Sequence, residues 1–296
     1  MKAKNTSNNI QPESYILHFP RSSLDLSRKV AVMGILNLTP DSFYDGGRYR
    51  TEKEILNRVE QMVKEGADII DVGGESTRPG AESVSAEVEI RRTIPYIEKI
   101  TSLFDVPVSI DTYKAKVAKA AIEAGAQMVN DISGLKFDSQ MASVVSFYKV
   151  PVVVMHIKGT PKNMQENPYY ESLMDEIISY LRESLQIAEK AGVEREKIII
   201  DPGIGFGKTV EHNLKILKRL DELKVLGRPI LIGVSRKSFI GKILSLPVEK
   251  RLPGSLAASC VAVVKGARVV RTHDVRETWE AIRVVEKIIE YGSEDE

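Results

Sequence analysis

The stretch PVSIDTYKAKVAKAAIEAGAQMVNDISG, residues 107–134, contains one complete unit of the fold. Residues 107–111 and 127–132 are short apolar runs, as strands buried on both faces should be. Between them, 114–124 reads as a helix, and Gly125-Ala126 sits where a left-handed glycine ends a helix before the next strand. Each strand closes on polar groups, Asp111 in the first and Asn130-Asp131 in the second. Working outward, the same unit recurs. Strand-like runs fall at 30–36, 68–73, 107–111, 127–132, 151–156, 197–201, 229–234 and 268–273. Helical segments separate them at 51–65, 85–104, 114–124, 138–148, 169–191, 210–224, 236–245 with 254–265, and 274–291. The helix-to-strand junction repeats as Gly66-Ala67, Ala191-Gly192 and Gly266-Ala267. Eight strand–helix units predict an α/β protein of the (β/α)8 TIM-barrel class, in which the strand C-termini converge on one catalytic face. Asn37, Asp71, Asp111, Asn130, Asp131, His156, Asp201, Ser235 and His273 all close or follow strands, so the site is expected there.

The rest of the chain fits one barrel with short extensions. Residues 1–29 read as an N-terminal extension, with Tyr15–Phe19 as one strand of a hairpin capping the barrel floor; residues 30–291 form the barrel and 292–296 a tail. The 296 residues carry 42 basic and 41 acidic side chains and no dense basic block, which argues against a nucleic-acid partner. The N-terminus lacks the apolar core of an export signal, and no window is long and apolar enough to span a membrane, so a cytoplasmic location is expected. Cys260, the single cysteine, sits among Ala257, Ala258, Val261 and Ala262 and reads as a small buried hydrophobe.

Chemistry-bearing residues concentrate in the strand-to-helix loops. GILNLTPDSFYDGG (34–47) places Asn37 at a strand end, where its amide oxygen suits a hard cation such as Mg²⁺ that retains waters and substrate oxygens. An Asx-turn accounts for Asn37 equally well. Gly46-Gly47 would let this loop act as a lid. DVGGESTRPG (71–80) offers Arg78 as a bidentate partner for a carboxylate or phosphate, against the blander reading of a solvated arginine. Asp111, Asn130 and Asp201 form a donor and acceptor set suited to a flat heterocycle with N–H groups, although each alone reads as a helix cap. GIGFGKT (203–209) is one residue short of a P-loop and alternates its glycines wrongly for a dinucleotide fold. It reads instead as a strand-end loop whose Phe206 covers a flat ring. In LIGVSRKSFIG (231–241), Lys237 can donate to ring or carbonyl acceptors, and Ser238 opens a helix to which an anion can dock. Arg271 and His273 share one face of the last strand, near which barrels often bind phosphate.

Together, GILNLTPDSFYDGG, DVGGESTRPG, SIDTYK, NDISG, MHIKGTPKNMQ, DPGIGFGKT, GVSRKSFIG and RTHDV resemble the dihydropteroate synthases, in order and from about residue 30 to 280. The resemblance implies a sulfonamide-targeted transferase of folate biosynthesis. It would join p-aminobenzoate to 6-hydroxymethyl-7,8-dihydropterin pyrophosphate by an SN1-like route, with Mg²⁺ as cofactor and a homodimer as the assembly. It implies a pterin pocket of Asp111, Asn130, Met155, Asp201, Phe206 and Lys237. Asn37, Arg271 and His273 would hold the pyrophosphate, with the metal at Asn37. Phe43, Thr77, Arg78, Pro79, Lys237 and Ser238 would hold the aminobenzoate. Catalysis is expected from Asp111, Lys237, Arg271, His273 and Asp45. Thr272 replaces a small hydrophobe common in the family. A methyltetrahydrofolate–corrinoid methyltransferase shares the Asp and Asn pocket, but it has no use for the Arg78 loop or a pyrophosphate clamp. A pterin-binding paralogue without turnover is the other alternative.

Overall fold

Alternate residues of each barrel strand face two different cores. The computed structural model describes residues 15–20, 22–39 and 51–291. Its strands are β1 (Ile16–His18), β2 (Ser23–Asp25), β3 (Ala31–Asn37), β4 (Ile69–Gly73), β5 (Val108–Asp111), β6 (Met128–Asp131), β7 (Val152–Met155), β8 (Ile198–Asp201), β9 (Ile230–Ile232) and β10 (Ala267–Thr272). Strands β3 to β10 form a closed parallel barrel, with β10 pairing back onto β3. The helices are α1 (Glu52–Lys64), α2 (Ala86–Leu103), α3 (Ala115–Glu123), α4 (Met141–Tyr148), α5 (Leu173–Lys190), α6 (Val210–Lys218), α7 (Ser238–Leu244), α8 (Leu252–Val264) and α9 (Val275–Glu290). Val32, Ile70, Val108, Ile110, Val152, Ile200 and Val270 point outward into the core shared with these helices. Their neighbours Met33, Ile69, Val153, Ile199, Leu231 and Val269 point inward and pack as a separate floor cluster. Because side chains alternate along a strand, the residues two positions further on also face inward, one layer nearer the mouth.

The expected hairpin closes the floor. Strands β1 and β2 pair antiparallel, and Leu17, Phe19, Leu24 and Leu26 bury themselves in the inward cluster. Leu17 and Leu26 are fully buried, each contributing roughly 1.5–3 kcal/mol. At the same end, where helices run into the next strands, Gly66, Gly125, Gly192 and Gly266 all take left-handed backbone, with φ of 98°, 109°, 91° and 104°, as the junction pattern predicted.

Several boundaries differ from the sequence reading for identifiable reasons. The helix expected over 210–224 ends at Lys218, and Leu220–Leu226 continues as a 3-10 helix. Leu220, Leu223 and Leu226 are buried at a spacing of three, which a threefold helix keeps on one face. The α4 helix starts at Met141 rather than 138, because the Asp138 carboxylate accepts from the Ala115 amide at 2.8 Å and so serves the neighbouring helix. The α5 helix starts at Leu173 rather than 169; the preceding Tyr170 hydroxyl donates to the Gly207 carbonyl at 2.8 Å. Strand β9 stops at Ile232, since the chain must turn so that the Lys237 amide meets the Val234 carbonyl at 3.2 Å. Cys260 is partly exposed on α8, contrary to the expected burial, because that helix turns Val261 and Val264 outward beside it.

Candidate active site

The inward layer above the apolar floor is polar. Asp71 (β4), Ser109 (β5), Asn130 (β6), Asp201 (β8) and Arg271 (β10) sit two residues beyond floor positions, or in register with residues that do. Charges so deep in a barrel require partners. Arg271 supplies the centre: its Nε donates to Asp71 Oδ2 at 2.6 Å and its Nη2 to Asp111 Oδ2 at 2.7 Å. Asn130 Nδ2 donates to the same Asp71 oxygen at 3.0 Å, which fixes the amide. Asp71 Oδ1, Ser109 Oγ and Asp111 Oδ1 are buried without a partner among the described residues. An orphan acceptor on Asp111 is a ready partner for a ligand N–H, because leaving it unpaired costs about 1–3 kcal/mol.

A cavity of about 470 Å³ opens above this layer. Asn37, Asp111, Asn130, Met155, Asp201 and Phe206 line it from the strand ends and the loop after β8. Thr77, Arg78 and Pro79 line it from the loop after β4, and Lys237, Ser238, Arg271 and His273 complete the wall. Thus every described residue that the resemblance assigns to a ligand borders one space, whereas the strand-end residues Asp71, Asp131 and His156 do not line it. Phe43 and Asp45, with the lid glycines 46 and 47, lie outside the described residues.

The local electrostatics are set by burial. Burial pushes the Asp111 carboxyl up to about 7, against the pull of the Arg271 guanidinium. Asp201 is likewise raised, to about 6, although the Gly203 amide donates to its Oδ1 at 2.7 Å. Burial, and then the Arg271 charge, lower Lys237 to about 8; its Nζ lies 4.2 Å over the centroid of the Phe206 ring. The same two causes depress His273 to about 3, so its imidazole is neutral, with Nδ1 at 3.0 Å from Ser235 Oγ.

Two buried carboxylates that sequence reasoning left without a role hold this wall. Arg236, in left-handed backbone at φ 54°, pairs bidentately with Asp274 at 2.8 and 2.7 Å. That clamp ties the residue before Lys237 to the residue after His273. Asp71 does the same for Asn130 and Arg271. Its signal was present: an aspartate inside the continuous apolar run IIDVG needs a buried cation, and Arg271 inside VVRT is the matching anomaly. Asp131 is a turn residue instead, accepting from the Ser133 and Leu135 amides. Glu75 anchors the Thr77–Pro79 loop, accepting from the Tyr113 hydroxyl at 2.5 Å and from Lys114.

A closed parallel barrel whose strand ends converge on a polar, arginine-centred cavity has the architecture of a TIM-barrel enzyme acting on a small molecule. The family model described as pterin binding enzyme matches residues 33–273. The dihydropteroate synthase of Clostridium beijerinckii is 50% identical over 266 residues, spanning 90% of this chain and 96% of its own. A Yersinia pestis dihydropteroate synthase solved with a sulfonamide drug superposes with a TM-score of 0.89 at 42% identity, covering 93% of this chain and 99% of its own. The Xanthomonas albilineans dihydropteroate synthase solved with 4-aminobenzoic acid gives 0.86 at 40% identity, covering 94% and 99%. The chain belongs to the pterin binding enzyme family and, within it, to the dihydropteroate synthases. It is a transferase of folate biosynthesis.

Proposed function

We propose that the barrel of residues 30–291 condenses p-aminobenzoate with 6-hydroxymethyl-7,8-dihydropterin pyrophosphate, giving 7,8-dihydropteroate and pyrophosphate. The observation that carries this is the single cavity bordered by an acid and amide set at its base and by cationic groups at its wall. The C–O bond to pyrophosphate breaks first and its electron pair leaves with the pyrophosphate. The amine nitrogen of p-aminobenzoate then bonds to the pterin methylene carbon and loses a proton. Asp111 accepts from the pterin N–H groups through its orphan oxygen and, ionised, balances the cationic ring. Asn130, Asp201 and Lys237 complete the edge contacts, with Met155 and Phe206 as apolar walls. Neutral His273 donates a hydrogen bond to the pyrophosphate, whereas Arg271 brings a full charge once the substrate competes for it. Preorganised donors of this kind are each worth about 10²–10³ in rate. Thr77, Arg78, Pro79, Lys237 and Ser238 receive the aminobenzoate together with Phe43, and Asp45 adds to the electrostatic stabilisation.

No group of three or more His, Cys, Asp or Glu side chains among the described residues forms a metal cage. Asn37 nevertheless fits Mg²⁺, which keeps waters and substrate oxygens: it borders the cavity beside Gly73, and its amide oxygen is the hard donor such a cation takes. When bound, Mg²⁺ neutralises the charge on the departing pyrophosphate. A homodimer is part of the proposal, supported by exposed apolar residues on two adjacent helices, Val261 and Val264 on α8 and Val284 and Ile288 on α9, with Tyr291 just beyond its end. So is a cytoplasmic location; no helix among the described residues is long and apolar enough to cross a membrane.

The test is to incubate purified protein with Mg²⁺ and both substrates, omitting each in turn, and to follow pyrophosphate and dihydropteroate together. Coupled appearance of both products is expected. Pterin binding without product, or methyl transfer from methyltetrahydrofolate to cobalamin, would overturn the proposal.

A further inference from the structure

Lys208 is almost fully buried, at 3% exposure, in a loop that needs no cation for its own turn. Three glycines already shape that loop: Gly203, Gly205 and Gly207 all take left-handed backbone, with φ of 70°, 82° and 67°. A side chain on Gly203 would collide with the His156 carbonyl, and one on Gly207 with that of Lys158, so the loop lies directly on the end of β7. The Lys208 side chain runs beneath it. Its Nζ lies 2.9 Å from the Phe206 carbonyl oxygen and 2.9 Å from His156 Nδ1. No carboxylate among the described residues forms an ion pair with it. His156 is equally buried, and the Tyr180 ring, 4.8 Å away between centroids, holds its imidazole. Burial holds the Lys208 amine well below the ordinary lysine range against the pull of the Asp201 charge, and burying it costs more than a loop carbonyl and an imidazole return in stability. The amine must therefore serve geometry rather than stability.

What it fixes is the aromatic wall. The carbonyl that Lys208 grips belongs to Phe206, whose ring borders the cavity and carries the Lys237 ammonium on its face. The opposite side of the loop is tied by the Asn213 side chain to the Gly205 amide at 2.8 Å and by Tyr170 to Gly207. We infer that Lys208 and His156 form a buried positioning pair that sets the Phe206 ring against the flat heterocycle of the substrate, making them determinants of pterin affinity that do not touch the pterin. This rests on the reading of the cavity as a pterin site. Burial and the neighbouring lysines keep the imidazole neutral, consistent with Nδ1 accepting from the amine.

The experiment measures pterin dissociation constants by fluorescence titration without p-aminobenzoate, alongside turnover and thermal melting, for Lys208→Met, His156→Leu, His156→Gln and the Lys208→Met/His156→Leu double variant. With the Phe206 wall no longer held in place, Lys208→Met and His156→Leu are each expected to weaken pterin by about tenfold, a shift of about 1.4 kcal/mol. Their melting temperatures should hold or rise, because a buried amine or imidazole is replaced by an apolar chain. His156→Gln, which keeps an oxygen acceptor for the amine, should restore most of the affinity. The double variant should be no weaker than either single one, since both break the same contact. Unchanged Kd in folded Lys208→Met, or equal loss in His156→Gln and His156→Leu, would overturn the inference while wild-type turnover leaves the activity reading intact. A wild type that neither binds pterin nor turns over would overturn the reading itself.

Discussion

Replacing Arg271 with Met removes the cation that bridges Asp71 and Asp111. Asp71 is completely inaccessible, and Asp111 is 9% exposed. With Arg271 in place the three groups sum to one negative charge; without it they sum to two, facing each other across adjacent strands. Stripping one partner from a buried pair costs about 3–5 kcal/mol. That cost depends on pH, and its direction follows from Asp111. The folded pKa of Asp111, about 7, stands above the ordinary 3.8, and the guanidinium is what restrains it from rising further. In the variant it rises further. Between the unfolded and folded values the native state holds more protons than the unfolded one, so stability grows as pH falls. The burial penalty on the charged form is fully present above the folded pKa and is relieved as pH drops through it. Urea unfolding of Arg271→Met should therefore show a loss of about 3–5 kcal/mol at pH 8, shrinking to roughly half at pH 5. A loss independent of pH, or one below about 1 kcal/mol at pH 8, would refute the picture of a charge-sharing triad.

Asp71→Asn leaves Arg271 and Asp111 as a neutral pair, so it should fold well; with the Asn130 and Arg271 contacts disturbed, kcat/KM for the pterin substrate should fall by about 10- to 100-fold, and wild-type kinetics would remove Asp71 from the site. Because kcat/KM reports the free enzyme, its pH profile should have an acid limb near 7 from Asp111 and an alkaline limb near 8 from Lys237, and a profile flat from pH 6 to 9 would contradict both assignments. Gly203→Ala, which forces a side chain at φ 70° into the His156 carbonyl, should cost at least about 1–3 kcal/mol in thermal unfolding and weaken pterin binding; a neutral effect would mean the loop sits elsewhere. Asn37→Ala should raise the Mg²⁺ concentration required for half-maximal turnover without altering pterin affinity in the metal-free protein, measured by titration.

The barrel was legible because its signals are local and repeated. Continuous apolar runs, left-handed glycines at four helix ends and polar strand termini each act within a few residues. The cavity-lining residues were legible for a related reason: strand ends converge by topology, so Asp111, Asn130, Asp201 and His273 needed only to be at strand ends to meet. What stayed hidden depends on pairings across long separations. The Arg271–Asp71 contact joins residues 200 positions apart, and the Arg236–Asp274 clamp 38 apart. Neither spacing nor periodicity encodes such a partner. The neutral state of His273 was hidden too, since it follows from burial beside Arg271 rather than from residue type. Helix ends were misplaced where a side chain such as Asp138 serves a neighbour instead of its own segment.

The hairpin under the barrel imposes an order on biosynthesis. Leu17 and Leu26, which precede every strand of the barrel in the chain, bury themselves against Val153, Ile199, Leu231 and Val269. The last of these lies more than 240 residues downstream of Leu26. The stopper is therefore synthesised before the strands it closes, and while the nascent chain grows, its leucines must remain without their final partners. Closure of the floor and completion of the final strand are one event, which ties an intact N-terminus to an intact C-terminal strand bearing Arg271 and His273. A chain truncated before that strand lacks Val269 of the floor together with Arg271 and His273 of the mouth.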